Sequence, residues 1–278
     1  MSDLPSLREM LENGVHFGHS ASRWHPKMKP YIYGKRQNVH IINLEKTRDG
    51  LDSALKFVVE QVSHGKTVLF VGTNPQAREL VKEAASKAGM PFVVQRWFGG
   101  WLTNFGVLKK NLKALGEMEK AVSEGLWTQL TKKEKLQKEE KMAKQVVFLE
   151  GVRSLNKLPD VLLIANADKE NIAITEANKL GIPVVALVDT DTNPKGVDYV
   201  IPANDNSVKS LHMLLDIFAK TISEARQDYQ KNLVVPVNKA EVIEPKKTKT
   251  LHKISQDGVT SEETVEAKDE PEKVITEE

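Results

Sequence analysis

Along the chain, short runs of aliphatic and β-branched residues recur at 39–42, 67–71, 91–94, 161–165, 184–188 and 199–201, and helically spaced apolar positions fill most of the intervals. The runs are continuous rather than alternating, as in Val68, Leu69, Phe70 and Val71, so both faces of each strand require cover. This pattern predicts an α/β fold: a doubly wound, mostly parallel sheet with helices on both sides. Helix starts are marked by Asn74 and Pro75, by Asp168 as a cap, and by Asn204 and Asp205 ahead of a last helix running towards Tyr229.

The alternation breaks between 104 and 150. Leu108, Leu112, Leu115 and Val122 follow a heptad-like spacing up to Gly125; Thr131 and Glu134 then offer a capping box, and Leu136, Ala143 and Val147 resume a seam. An inserted antiparallel α-helical coiled-coil hairpin is expected. Residues 109–144 carry ten Lys against six Glu, charge enough to keep such a projection soluble. The expected organisation is therefore an α/β sheet domain over 1–103 and 151–230, the hairpin over 104–150, and a tail over 231–278. The tail, with Pro236, Pro245 and an acidic end, is expected to be disordered because it cannot bury enough apolar surface to offset its ordering entropy.

Composition sharpens this picture in three ways. The formal charge of +2 over 278 residues hides an asymmetry: residues 255–278 hold nine acids against two lysines, which leaves the rest of the chain at plus nine. A basic body suits a nucleic-acid partner. The absence of cysteine excludes disulfides, thiolate zinc sites and cysteine catalysis, and suggests an intracellular, cytoplasmic protein. No apolar run is long enough to span a bilayer, and the first residues resemble neither a secretory signal nor a transit peptide, so no membrane association is expected.

The basic charge concentrates between 15 and 48, where Arg23, Lys27, Lys29, Lys35, Arg36, Lys46 and Arg48 face a single acid, Glu45. His16, His19, His25, His40, Trp24, Tyr31 and Tyr33 are interspersed among them. Cations neutralise phosphates while flat rings accept unstacked bases, so this stretch reads as an RNA-facing surface. Pro26, Pro30, Gly14, Gly18 and Gly34 argue for loops and extended chain rather than a charged helix face. A second RNA-contact candidate is the run 95–104, in which Arg96 stands beside Trp97, followed by Gly99, Gly100, Trp101 and Asn104. The plainer reading of its tryptophans is that they anchor the insert to the core. The run lacks the spacing of a nucleotide-phosphate loop.

Asp189 and Asp191 end a buried strand, where open α/β sheets place ligands, and would suit a metal-dependent nucleotide or sugar-nucleotide transferase. Against this, Asn193 and Pro194 suggest that the same residues serve a turn. His16 and His19, three apart, would ligate metal with His25 or His40, but no fourth ligand is fixed, so neither metal nor cofactor is expected.

The strings Leu11 to His19, Arg23 to Ile32, His40 to Thr47, Gln95 to Asn104, Leu130 to Glu134, Leu158 to Asp160, Glu176 to Asn178, Gly181 to Val184, and Val188 through Pro202 together resemble the ribosomal small-subunit protein two family, covering about 4–229. The resemblance implies a flavodoxin-like sheet with a projecting coiled coil, and a non-enzymatic role in the small ribosomal subunit of a bacterial-type lineage. It implies contact with small-subunit rRNA on the solvent side between head and body, and with neighbouring subunit proteins including ribosomal protein one, which captures mRNA. No small-molecule substrate is expected. Two stretches depart from the family pattern: Ser154 to Lys157 stands where a glycine-containing turn is expected, and the tail from Lys231 has no counterpart in the common core.

Overall fold

The computed structural model describes residues 4–129 and 131–234. A short helix α1 (Leu7–Glu12), closed by a Ser6–Glu9 capping box, leads into strands β1 (Phe17–Ser20), β2 (Ile32–Arg36) and β3 (Val39–Ile42) and the long helix α2 (Leu44–Ser63). Then come β4 (Val68–Val71), α3 (Arg78–Ala88), β5 (Phe92–Val93), α4 (Phe105–Ser123), α5 (Lys132–Leu149), β6 (Val161–Ile164), α6 (Asn171–Leu180), β7 (Val184–Val188), β8 (Tyr199–Pro202) and α7 (Val208–Val234).

Five strands form one parallel sheet in the order β5-β4-β6-β7-β8, which is 2-1-3-4-5 in chain order and hence the flavodoxin-like arrangement. The continuous apolar runs explain the layering. Val68, Phe70, Val161, Leu163, Val185 and Leu187 point into a core shared with α2, α3 and α7. Their neighbours Leu69, Val71, Leu162, Ile164, Val184 and Ala186 enter a second core with α6, Trp97, Trp101 and the bases of α4 and α5. Every residue of β4, β6 and β7 is buried, as a sheet covered on both faces demands.

Several expectations require correction. The run at 39–42 does not join the parallel sheet; β3 is the central strand of a separate antiparallel sheet, ordered β1-β3-β2. Only Gln37 and Asn38, both with positive φ, separate β2 from β3, so a hairpin forms where a crossover helix has no room. Asp168 does not cap α6: its carbonyl accepts from the Asn171 side chain, while Glu170 occupies the cap position with its carboxylate turned instead to Thr73 N. Asn74 and Pro75 open a turn rather than the helix, and α3 starts at Arg78. Asn204 does serve as expected, its side chain accepting from the backbone of Asn206 and Ser207 just before α7.

The interruption at 104–150 is a pair of helices, and the Thr131–Glu134 capping box is formed. Leu108 and Leu115 are buried and Leu112 packs beside them, but Val122, Leu136, Ala143 and Val147 are exposed. The inward face of α5 instead carries Met142, Val146 and Leu149 at helical spacing, because the helix is phased by its base, where Leu149 meets the tryptophan cluster. The tail expected from 231 falls outside the described residues, apart from the end of α7, which continues to Val234.

One carboxylate organises the loop from β5 to α4. Glu176 of α6, 5% exposed, accepts from Trp97 Nε1 at 3.2 Å, Gly100 N at 2.7 Å, Leu102 N at 3.0 Å, and Thr103 N and Oγ1 at 3.1 and 3.2 Å. Gly100, at φ 93, turns its N–H inward at a dihedral that other residues rarely adopt. Burial by itself would raise the Glu176 pKa, but the backbone donors of Thr103, Gly100 and Leu102 outweigh it and hold the carboxyl below its ordinary value. Removing this acceptor by Glu176→Ala should cost about 3 kcal/mol in urea unfolding, since several buried donors lose a charged partner. With a depressed folded-state pKa, the stabilisation is complete above about pH 4.5 and lost as pH falls through the lower folded value. Glu176→Gln should therefore flatten the acid limb of a stability-against-pH curve.

Candidate nucleic-acid interface

The three-stranded sheet has little core of its own and is held by the carboxyl end of β7. Thr190, fully buried, accepts from His19 N through Oγ1 at 2.8 Å and from His25 N through its carbonyl at 2.8 Å. Gly18 lies directly against it: a Cβ there would come 2.5 Å from Thr190 Cγ2, 2.7 Å from Oγ1 and 3.1 Å from the His40 carbonyl. The Val15 carbonyl accepts from Asn204 N at 3.1 Å, tying the same segment to the start of α7.

On this support the basic residues spread over unlike elements. Arg23 and Trp24 follow β1; Lys27 and Lys29 ride on a 3-10 turn, Pro26–Tyr31, whose first N–H groups are capped by His25 Nδ1 accepting from Lys27 N; Lys35 and Arg36 end β2. Lys46 and Arg48 lie on α2 rather than on a loop, because Asn43 caps that helix after the last glycine and proline of the stretch. All seven cations are exposed, and among the described residues none is paired with a carboxylate. Three lysines of the insert contrast with them: Lys113, Lys120 and Lys135 each sit within ion-pair distance of a glutamate four residues on.

Lys27, Tyr31 and Lys46 converge on an open cleft of about 700 Å³ that also takes in Lys195, Asp49 and Asp198. Lys195 escaped the sequence reading; its position on the loop after β7, at the ligand-binding edge of an α/β sheet, was the available signal. Tyr33, on β2, is 79% exposed, while Tyr31, which ends the 3-10 turn, is partly buried against the second core, so Tyr33 is the better stacking ring. Trp24, 38% exposed, leans on His40 with centroids 5.5 Å apart. His16 is partly buried, and burial lowers its pKa.

The run 95–104 divides. Arg96 is exposed and lies over the Phe98 ring at 5.7 Å, and Asn104 is exposed at the start of α4. Trp97, by contrast, is 7% exposed and donates to Glu176, which leaves no ring face for a base. His19 is likewise committed to the protein. Its Nδ1 lies 3.0 Å from Asp189 Oδ2 and its Nε2 3.5 Å from Asp191 Oδ2, and the Asp189 carboxylate, aided by Asp191 and Asp205, raises its pKa to about 9. His16, His25 and His40, the other members of the histidine set that the sequence offered no fourth ligand for, take no part in this cluster. Asp189, 1% exposed, accepts from the backbone and hydroxyl of Thr190, so the pair read as a transferase site is closed by the protein's own chain.

The profile of the family described as "Ribosomal protein S2" matches residues 10–225. The chain is 48% identical over 221 residues to "Small ribosomal subunit protein uS2" of Aeromonas salmonicida, covering 80% of this chain and 91% of that protein. It is 47% identical over 222 residues to the protein of the same name from Tolumonas auensis (80% and 92%), and 47% over 221 residues to that from Dichelobacter nodosus (80% and 83%).

Substituting Gly18→Ala should cost about 1–3 kcal/mol, since neither the buried Thr190 side chain nor the His40 carbonyl has room to retreat. Thermal unfolding and selective protease nicking between 15 and 43 would register it; an unchanged midpoint and cleavage pattern would contradict the close packing. Sequence, fold order and near-half identity over four-fifths of its length agree that this chain belongs to the ribosomal protein S2 family, whose members are structural proteins rather than enzymes.

Proposed function

We propose that the chain is a structural constituent of the small ribosomal subunit, working in the cytoplasm and binding rRNA through the face built by Arg23, Lys27, Lys29, Lys35, Arg36, Lys46 and Arg48, with Trp24 and Tyr33 as stacking rings and Arg96 and Asn104 as a second contact. The relatives' name supports the assembly. The observation that carries the RNA contact is the unpaired state of these cations. An exposed cation with no carboxylate partner releases counterions when it meets a phosphate and forfeits no existing ion pair. The mix of 3-10 turn, strand and helix presents the charges at irregular spacing, which suits a folded RNA backbone better than a duplex groove.

In this reading α4 and α5 form the projecting coiled-coil hairpin, the apolar groove at their base serves a protein neighbour in the subunit, and the protein helps recruit ribosomal protein one. That groove holds about 360 Å³ between Phe98, Trp101, Val107, Phe148 and Leu149, with Phe98, Val107 and Phe148 exposed. Among the described residues, no helix is long and apolar enough to cross a membrane.

Replacing Lys27, Lys29 and Arg36 together by Gln should weaken incorporation into small subunits and lower the slope of log K against log salt for rRNA binding by about 2–3, close to one unit per lost phosphate contact. An unchanged slope with normal incorporation at elevated salt would refute the assignment. The same substitution should leave the free energy of unfolding within about 0.5 kcal/mol of the parent, because exposed unpaired side chains contribute little to folding.

A further inference from the structure

The last crossover of the parallel sheet lacks the helix that such a connection usually carries. Residues 189–198 return the chain from β7 to β8 as a loop, and the 3-10 turn Pro26–Tyr31 lies against the same core that receives Val197 and Val200. Between that turn, the first turns of α2 and the edge of β8, the open cleft of about 700 Å³ remains. Its walls are fixed: α2 approaches β8 so closely that a Cβ on Gly50 would collide with the Val200 carbonyl. Lys27, Lys46 and Lys195, all exposed, line the cleft, and Pro30 and Tyr31 give it an apolar side.

A surface that only neutralises phosphates has no use for carboxylates, yet Asp49 and Asp198 lie in this cleft among the lysines. Their states differ. Asp198 Oδ2 accepts from Val184 N at 2.8 Å and so fastens the start of β7. Asp49 is exposed, and only its backbone carbonyl is engaged, by the Ser53 hydroxyl. Its carboxylate makes no ion pair among the described residues, although Lys46 stands one turn before it, whereas Asp52 on the same helix pairs with Lys56 at 2.7 Å. A free carboxylate among cations repels a phosphate, so it weakens RNA binding unless it accepts from a donor that the RNA carries.

We infer that the cleft takes one unstacked guanine of the bound RNA, with Lys27, Lys46 and Lys195 on the flanking phosphates and the Asp49 carboxylate accepting from the base. Of the four bases, only guanine has two adjacent donors, N1–H and the N2 amino group, on its pairing edge, and one carboxylate accepts both. Adenine, cytosine and uracil each set an acceptor beside their donor, and that acceptor would face an Asp49 oxygen. The volume lies within the range of about 300–1,000 Å³ that holds small ligands, but the cleft is open. The base is therefore retained by the phosphates tethered on either side of it rather than by enclosure. This inference rests on the RNA-binding reading of the same face and adds a residue that reads a base, since phosphate contacts carry no sequence information.

The test uses the full chain and short oligouridines with a single central guanosine, followed by fluorescence anisotropy at low salt. Guanosine should bind at least about tenfold tighter than adenosine or cytidine at that place, with inosine, which lacks the N2 amino group, between them. Asp49→Asn should abolish the preference while the far-ultraviolet circular dichroism is unchanged; Lys195→Gln should weaken every oligonucleotide alike and retain it. Equal binding of all the oligonucleotides would overturn the inference and leave the RNA-binding face standing, whereas no salt-dependent binding to any of them would overturn both. Free guanosine monophosphate competing as strongly as the oligonucleotide would make the cleft a site for a free nucleotide and overturn the RNA-borne assignment. In assembled small subunits, kethoxal, which attacks guanine N1 and N2, should modify with the Asp49→Asn protein one rRNA guanine that the parent shields. An identical modification pattern would overturn the inference without reliance on short oligonucleotides.

Discussion

The basic surface depends on one junction, the packing of β1 against Thr190. A three-stranded antiparallel sheet of four- and five-residue strands is too small to fold alone, and its inward residues need the larger domain for cover. Thr190 supplies two hydrogen bonds and a wall that only a glycine at position 18 can approach. Position 190 is itself fixed because β7 is buried on both faces and cannot slip along its neighbours without moving Val185 and Leu187 out of one core and Ala186 out of the other. The rigidity of the parallel sheet is thereby passed to residues that would otherwise be a charged loop.

A buried anion does comparable work in the loop from β5 to α4. Glu176 holds the 97–103 loop by its backbone, which leaves Arg96 free at the surface and Trp97 and Trp101 packed in the core beneath α4 and α5. Tryptophan and arginine adjacent in sequence thus serve different layers. Charge divides less sharply: Lys113, Lys120 and Lys135 of the insert are matched to glutamates along their helices, whereas among the described residues the cations of the 15–48 segment pair with no carboxylate.

How much of this was legible follows from the range of the forces involved. Strands β4, β6 and β7 were readable because burial on both faces writes an uninterrupted apolar run, and the Thr131 capping box because its two partners lie three residues apart. The antiparallel sheet was hidden: its strands are mixed in polarity, and the one run that stood out, 39–42, looked like its buried counterparts. The inward face of α5 was misplaced because Ala143 and Val147 fit a heptad as well as Met142, Val146 and Leu149 do, and only the tryptophan cluster at the base decides between them. His19 read as an RNA contact and Asp189 as a carboxylate of a metal-dependent transferase site, because their meeting spans 170 residues of sequence, a distance over which composition carries no information. The basic character of 15–48 survived because exposed charge needs no partner to be recognised.

Open α/β sheets gather ligands beyond the carboxyl ends of their strands because loops diverge there and leave a crevice. In this chain that crevice is filled from within, by His19 and the backbone of 18–25. Polar groups suited to a small molecule, among them Asp189, Asp191 and Asn206, are turned to holding a segment of the same polypeptide. An open, exposed face of irregular cations encloses no small substrate, but it can lie against an extended polyanion, whose contacts are numerous, individually weak and spread over a broad surface. A fold that elsewhere supports catalysis is in this way compatible with a purely structural family, without any change to the sheet itself.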